Sequence, residues 1–84
     1  MATNAETALK ADQALDCSGL PCPMPILKTR KAIEGLKIGQ ILMMTATDPG
    51  APGDIAAWTQ KTRHTLVASR QEGEKYVFYI RKEK

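Results

Sequence analysis

The sequence predicts an α+β two-layer sandwich, a four-stranded mixed sheet in the order β-α-β-α-β-β with two helices packed on one face. Three observations predict it. Strand-length segments alternate with helix-period segments along the chain. Two further strand segments close the chain around a glycine-containing turn. The length, 84 residues, suits one domain with a thin core. Strands joined through helices and a terminal hairpin together give a mixed sheet with the helices on one side.

Residues 1 to about 12 carry no apolar period and read as a disordered N-terminal tail, leaving 13–84 as the domain. Gln13-Ala14-Leu15-Asp16-Cys17 alternates weakly and reads as a short strand. Ser18 to Pro21 is a loop. A helix is expected from about Pro23 to Leu36, with Ile26, Thr29 or Arg30, Ile33 and Leu36 on one stripe and Gly35 and Gly39 as stop signals. Gln40 to Ala46 is a continuous apolar run of strand length. It is either a central strand under long neighbouring side chains or a strand with a partly apolar open face for a partner or second copy.

Thr47 to Gly53 is a dense turn cluster. A second helix follows, from about Pro52 to Thr62, with Ile55 and Trp58 on its buried side. Thr65–Gln71 and Lys75–Arg81 read as strands. Glu72-Gly73-Glu74 is the hairpin loop between them, with glycine available for a positive φ.

Twelve Lys and Arg against nine Asp and Glu leave a net charge of +3. The basic residues are spread over several segments and aromatics make up 5%, which argues against a nucleic-acid reader built on a basic face and stacking rings. No segment reaches the roughly 20 apolar residues of a membrane span. The first residues lack the basic and apolar regions of a secretory signal. The expected location is therefore cytoplasmic, with no direct nucleic-acid or membrane partner. In that compartment Cys17 and Cys22 are expected to be reduced, so a cysteine in a special setting points to chemistry.

The informative segment is Pro21-Cys22-Pro23-Met24-Pro25, where a loop becomes a helix. With Cys22 as N-cap, prolines remove two of the four donors of the first turn. The Met24 N–H is then the donor expected to point toward the cysteine side chain. The bias of a residue before proline away from helical geometry offers another start, at Pro25, with Cys22 slightly ahead of the helix. Either way the sulfur sits near the positive end of a helix dipole, which favours thiolate by roughly 0.3–2 kcal/mol. Lys28, Arg30 and Lys31 lie further along this helix. Lys28 is the best placed to help, although helical rise alone sets it about 9 Å from residue 22. The same lysines also read as an ordinary solvated face.

Catalysis by a nucleophile normally needs a base within reach, and the lone histidine, His64, reads as a surface or helix-end residue. Two cysteines and one histidine do not close a metal site. A rigidly presented cysteine without a base suits a relay that accepts a sulfane sulfur as a persulfide and yields it to the next thiolate. Cys17 shares strand parity with Leu15 and reads as a core residue. The alternative is a resolving partner for Cys22, which would make the chain a dithiol redox or regulatory binding module.

These residues resemble the TusA (SirA-like) family of sulfur carriers. The match runs through Leu15-Asp16, Gly19-Leu20, Cys22-Pro23-Met24-Pro25-Ile26 and Lys31, and the second patch through Asp48-Pro49 and Asp54-Ile55. It covers about residues 13 to 81. The resemblance implies a βαβαββ sandwich, Cys22 as the sulfur-accepting residue, and Pro23, Met24 and Pro25 shaping its presentation. It implies no cofactor beyond covalently carried sulfur. The implied partners are a cysteine desulfurase or rhodanese as donor, and a DsrE-like or tRNA-thiolation protein as acceptor, with molybdenum-cofactor assembly a further destination. Asp48-Pro49-Gly50 and Trp58 look more like members from sulfur oxidisers, where the cargo can be a thiosulfonate. Gly50 to Gly53 departs from the polar, Thr-rich stretch of some members. Asp48 is expected either to meet a partner or to cap the turn or second helix.

Overall fold

The computed structural model describes residues 11–21 and 23–84. Of the expected tail, residues 1–10 lie outside the described residues. Asp12 already belongs to the fold: its N–H donates to the Ile41 carbonyl (2.7 Å) and its carboxylate accepts the Ile41 N–H (2.8 Å).

Alternating and apolar runs become β1 (Gln13–Cys17), β2 (Ile41–Ala46), β3 (Thr65–Glu72) and β4 (Lys75–Arg81). The helices are α1 (Met24–Glu34) and α2 (Ala51–Thr62). The sheet order is β1-β2-β4-β3, with β1 parallel to β2 and the other neighbours antiparallel. This is the expected mixed sheet, and its element order is the one read from sequence.

Both helices lie over the face formed by Leu15, Cys17, Leu42, Met44, Ala46, Phe78 and Ile80. From above, α1 contributes Pro25, Thr29 and Ile33, and α2 contributes Ala51, Ile55 and Thr59. The stripe on α1 therefore takes Thr29 and leaves Arg30 outside, where it pairs with Glu34 at 3.6 Å. On the opposite face, Met43 and Thr45 lie beside Tyr79 and Val77. Tyr79 and Val77 are each only 6% exposed, so same-face neighbours largely cover them. The exposed large apolar residues among the described residues are Met24, Leu27 and Ile38, none of them on the sheet. The first reading of β2, a central strand under its neighbours, is the one the packing supports.

The connections obey local backbone chemistry. Gly73 has φ +63° in the two-residue turn between Glu72 and Lys75, as a tight hairpin requires. α1 ends at Gly35 in a tightened turn, with N–H groups of Gly35 and Leu36 donating to Ala32 and Ile33 carbonyls. Lys82, just past β4, closes that end. Its Nζ donates to the Leu36 carbonyl (2.7 Å) and lies 3.5 Å from that of Glu34. A half-buried ammonium here satisfies helix-end carbonyls and complements the negative end of the dipole.

Two substitutions test this packing by urea denaturation. Lys82→Met should lower stability by about 1–2 kcal/mol, because charged hydrogen bonds at a helix end are lost. Thr29→Val should hold or raise it, by up to about 1 kcal/mol. The Thr29 hydroxyl is buried without a hydrogen-bond partner, whereas Thr59 bonds the Ile55 and Ala56 carbonyls at 2.9 and 3.0 Å.

Candidate functional site

The parallel pairing of β1 with β2 sends the chain out of Cys17 into a loop at the carboxyl end of both strands. The Asp16 carboxylate accepts the Ser18 N–H (2.9 Å), and the Leu20 N–H donates to the Cys17 carbonyl (3.2 Å). Gly19, with φ +79°, turns its N–H onto the Thr47 hydroxyl at 2.8 Å. That bond ties the β1–α1 loop to the loop leaving β2, so the two sequence patches of interest share one end of the molecule.

Across Pro21 to Met24 the loop closes on itself: the Met24 N–H donates to the Pro21 carbonyl at 2.9 Å. This corrects an expectation. Met24 is not left to point at the cysteine side chain, because the Pro21 carbonyl takes its N–H. The N-cap is Pro23, not Cys22, and Pro25 lies within the first turn. Cys22 itself, the predicted sulfur-carrying residue, lies outside the described residues. Its neighbours are placed. Pro21 and Pro23 are exposed, Pro25 is buried under the helix, and Met24 and Leu27 stand 38% and 49% exposed.

The predicted basic residues do not act together. Arg30 turns to Glu34. Lys28 is close enough to act electrostatically on the Cys17 thiol, and it lines a shallow trough with Lys31, Gln13, Leu15 and Ala32. Asp48 serves its turn: its carboxylate accepts the Gly50 N–H at 3.0 Å and its carbonyl accepts the Ala51 N–H. No side chain caps α2, so of the capping roles expected for Asp48 the turn is the one observed.

Cys17 is fully buried. Burial pushes its thiol up, against a smaller downward pull from Lys28 and a further push from Asp16. It packs in the core as a small apolar residue, the structural role read from strand parity.

Two features escaped the sequence. One is an open groove of about 310 Å³ between the start of α1 and α2, lined by Pro23, Ile26, Asp54, Ala57, Trp58 and Lys61. Its helix-spaced residues were visible, but their meeting across two helices was not. The other is His64, read as a surface or helix-end residue. It follows Arg63, the left-handed C-cap of α2, with its ring centroid 5.6 Å from that of Trp58. Its Nδ1 accepts the Glu83 N–H at 3.1 Å. The Glu83 carboxylate in turn accepts from the Thr65 hydroxyl and from Arg81 (2.9 Å). The one histidine is thus engaged in holding the C-terminal segment.

Residues 13–82 match the family described as Sulfurtransferase TusA. The chain belongs to the TusA family. It is 46% identical over 74 residues to the putative sulfur carrier protein YrkI of Bacillus subtilis, covering 88% of this chain and 99% of that protein. It is 45% identical over 71 residues to the sulfur carrier protein TusA of Allochromatium vinosum, covering 84% and 93%. A SirA-like protein of Desulfitobacterium hafniense shares the fold, with a TM-score of 0.74 at 14% identity over 86% of this chain and 99% of that one. The family and fold implied by the sequence motifs are therefore those found. Among the described residues no helix is long and apolar enough to cross a membrane.

The histidine contact sets a pH dependence. Burial, reinforced by Lys82, holds His64 below its ordinary value of 6.5, with Glu83 opposing. A depressed folded-state value means that the unfolded chain takes up the proton first. Stability is then full above about pH 6.5 and falls as pH drops below it. Chemical denaturation at about pH 7 and about pH 5 should show this loss in the wild type and a smaller one in His64→Gln.

Proposed function

We propose that this TusA-family chain carries sulfane sulfur on Cys22 and passes it to a partner thiol. The observation that carries the reading is the contrast between the two cysteine settings. Cys17 is sealed in the core with its thiol shifted up. The residues either side of Cys22 in the chain, Pro21, Pro23 and Met24, are exposed. A thiol just ahead of a helix N-terminus is biased toward thiolate, and no acidic residue in the first turn of α1 offsets that end.

The chemistry balances without a cofactor. The Cys22 thiolate attacks the terminal sulfur of a donor persulfide, the donor thiolate leaves, and a Cys22 persulfide forms. The acceptor thiolate then attacks that outer sulfur and Cys22 leaves as thiolate, so sulfur moves with no net oxidation. His64 is engaged with the Glu83 N–H, which fits a carrier that relies on its own thiolate more than on a neighbouring base. The donor is a desulfurase or rhodanese and the acceptor a DsrE-like or tRNA-thiolation protein. A thiosulfonate cargo moves by the same exchange from a donor cysteine that already carries it: the Cys22 thiolate attacks the sulfur next to the donor's own, and the donor thiolate leaves. The location that suits this chemistry is the reducing cytoplasm. The buried state of Cys17 speaks against the dithiol module, which needs that thiol to open to solvent.

Intact-mass measurement tests the reading. After incubation with a desulfurase and cysteine, a rhodanese and thiosulfate, or polysulfide, the chain should gain sulfur mass that a reductant removes. Cys17→Ala should load as the wild type does, and Cys22→Ser should not load. Loading that survives in Cys22→Ser, or fails with every donor in the wild type, would overturn it.

A further inference from the structure

We propose that the outer edge of β1 receives an extended, acidic segment of a partner protein as an added strand, held by Lys28 and Lys31. The inference rests on the chain having a protein partner, the reading given above, and deepens it by assigning the surface and its chemistry.

The backbone supplies the first argument. The Lys82 N–H donates to the Gln40 carbonyl and Leu42 stands opposite Ile80, so the even residues of β2 turn to β4 and Ile41, Met43 and Thr45 turn to β1. In the β1–β2 register, where Ala14 stands opposite Met43, Gln13 and Leu15 therefore bond β2, while Ala14 and Asp16 turn their N–H and C=O groups outward. No described residue covers that edge, because β1 is outermost in the sheet. The opposite edge is different. β3 is interrupted by a bulge between Leu66 and Ala68 and carries the Arg70–Glu72 pair at 2.7 Å, two devices that discourage strand addition. β1 has an unbroken register over all five residues.

The side chains supply the second argument. Along the open edge runs the trough lined by Gln13, Leu15, Lys28, Lys31 and Ala32, with a volume of about 310 Å³. Lys28 and Lys31 are exposed and make no ion pair among the described residues. A guest strand on β1 would point every second side chain into this trough. A glutamate there lays its methylenes on Leu15 and its carboxylate on the lysines. The intervening side chains fall beside Ala14 and Asp16 on the other face, so Asp16 selects against acid at those positions. The pattern read out is acidic at alternate positions, neutral between. The same lysines disfavour a second copy, because β1-to-β1 pairing would bring like charges together.

The test uses the full chain and a short end-capped peptide alternating glutamate with valine. NMR titration should shift the amides of Gln13 to Cys17, and hydrogen exchange should slow at Ala14 and Asp16. The peptide alternating lysine with valine should not bind. Lys28→Gln with Lys31→Gln should weaken binding about tenfold, and added salt should do the same. Ala14→Pro removes an outward N–H from an edge strand, a place where proline is tolerated. It should fold normally and also bind about tenfold more weakly. Cys22→Ser should bind as the wild type does, which separates this result from the sulfur-loading one. Absence of binding overturns the proposal, as does binding unaffected by both the charge and the proline variants. It is also overturned by self-association that protects β1, or by an oligothymidylate that occupies the lysines more tightly than the peptide.

Discussion

The parallel pairing of β1 with β2 is the constraint from which the arrangement follows. Parallel neighbours cannot be joined by a tight turn, so the chain must leave the sheet, cross over it and return. That crossover is α1, and it begins at the carboxyl end of β1. The geometry of such a crossover puts the Pro21–Met24 bond, the start of α1 and the loop after β2 at one end of the molecule. The Gly19 N–H on the Thr47 hydroxyl fixes the two loops together there. The core serves the same constraint: Leu42, Met44, Phe78 and Ile80 are almost fully buried beneath the helices, which holds the crossover against the sheet.

Within this frame the two cysteines, five positions apart, meet opposite physical conditions. Cys17 ends β1 on the inward side, where β1 is in register with Ala46, and strand alternation buries it. By Pro21 the chain has left the sheet, and the prolines on either side of residue 22 are exposed. Five positions thus separate a packing thiol from the one proposed for sulfur transfer. The C-terminal segment completes the frame from the other end of the helices. Lys82 closes α1, and the Glu83 N–H bonds to His64 behind α2.

Much of this was legible in the sequence because local chemistry and tertiary packing agree. The alternation of Gln13–Cys17 and the run YVFYIR marked strands that form with the expected bounds. Gly73 marked a hairpin that needs a positive φ, and the parity of Cys17 with Leu15 placed it in the core. The errors arose where a local rule had a competitor. The Met24 N–H was counted as a free helix-start donor, but a carbonyl three residues earlier accepts it. The sequence leaves the α1 stripe open to Thr29 or Arg30, and burial cost gives the inward place to threonine. The groove beside Trp58 and the His64 contact were hidden for a different reason. Each joins residues from separate elements, through helix crossing or through the path of the chain after β4, and no spacing along the sequence encodes those.

The two helix starts show how the same proline-rich grammar gives different electrostatics. Both place proline in the first turn and neither has a side-chain cap. In α2, Asp54 lies in the first turn and Asp48 binds the Gly50 N–H just ahead of it, so carboxylates offset the positive end of the dipole. α1 has no acidic residue in its first turn; burial of Pro25 and the Pro21–Met24 bond hold its start in place. An aspartate or serine N-cap would stabilise α1 by about 1 kcal/mol, but its oxygen would occupy the donors and field of that terminus. Proline positions the turn without adding a competing acceptor. For a thiol proposed to act as an anion, an uncapped and unneutralised helix start is the useful one, and the small loss in helix stability is offset by the packing that the crossover already provides.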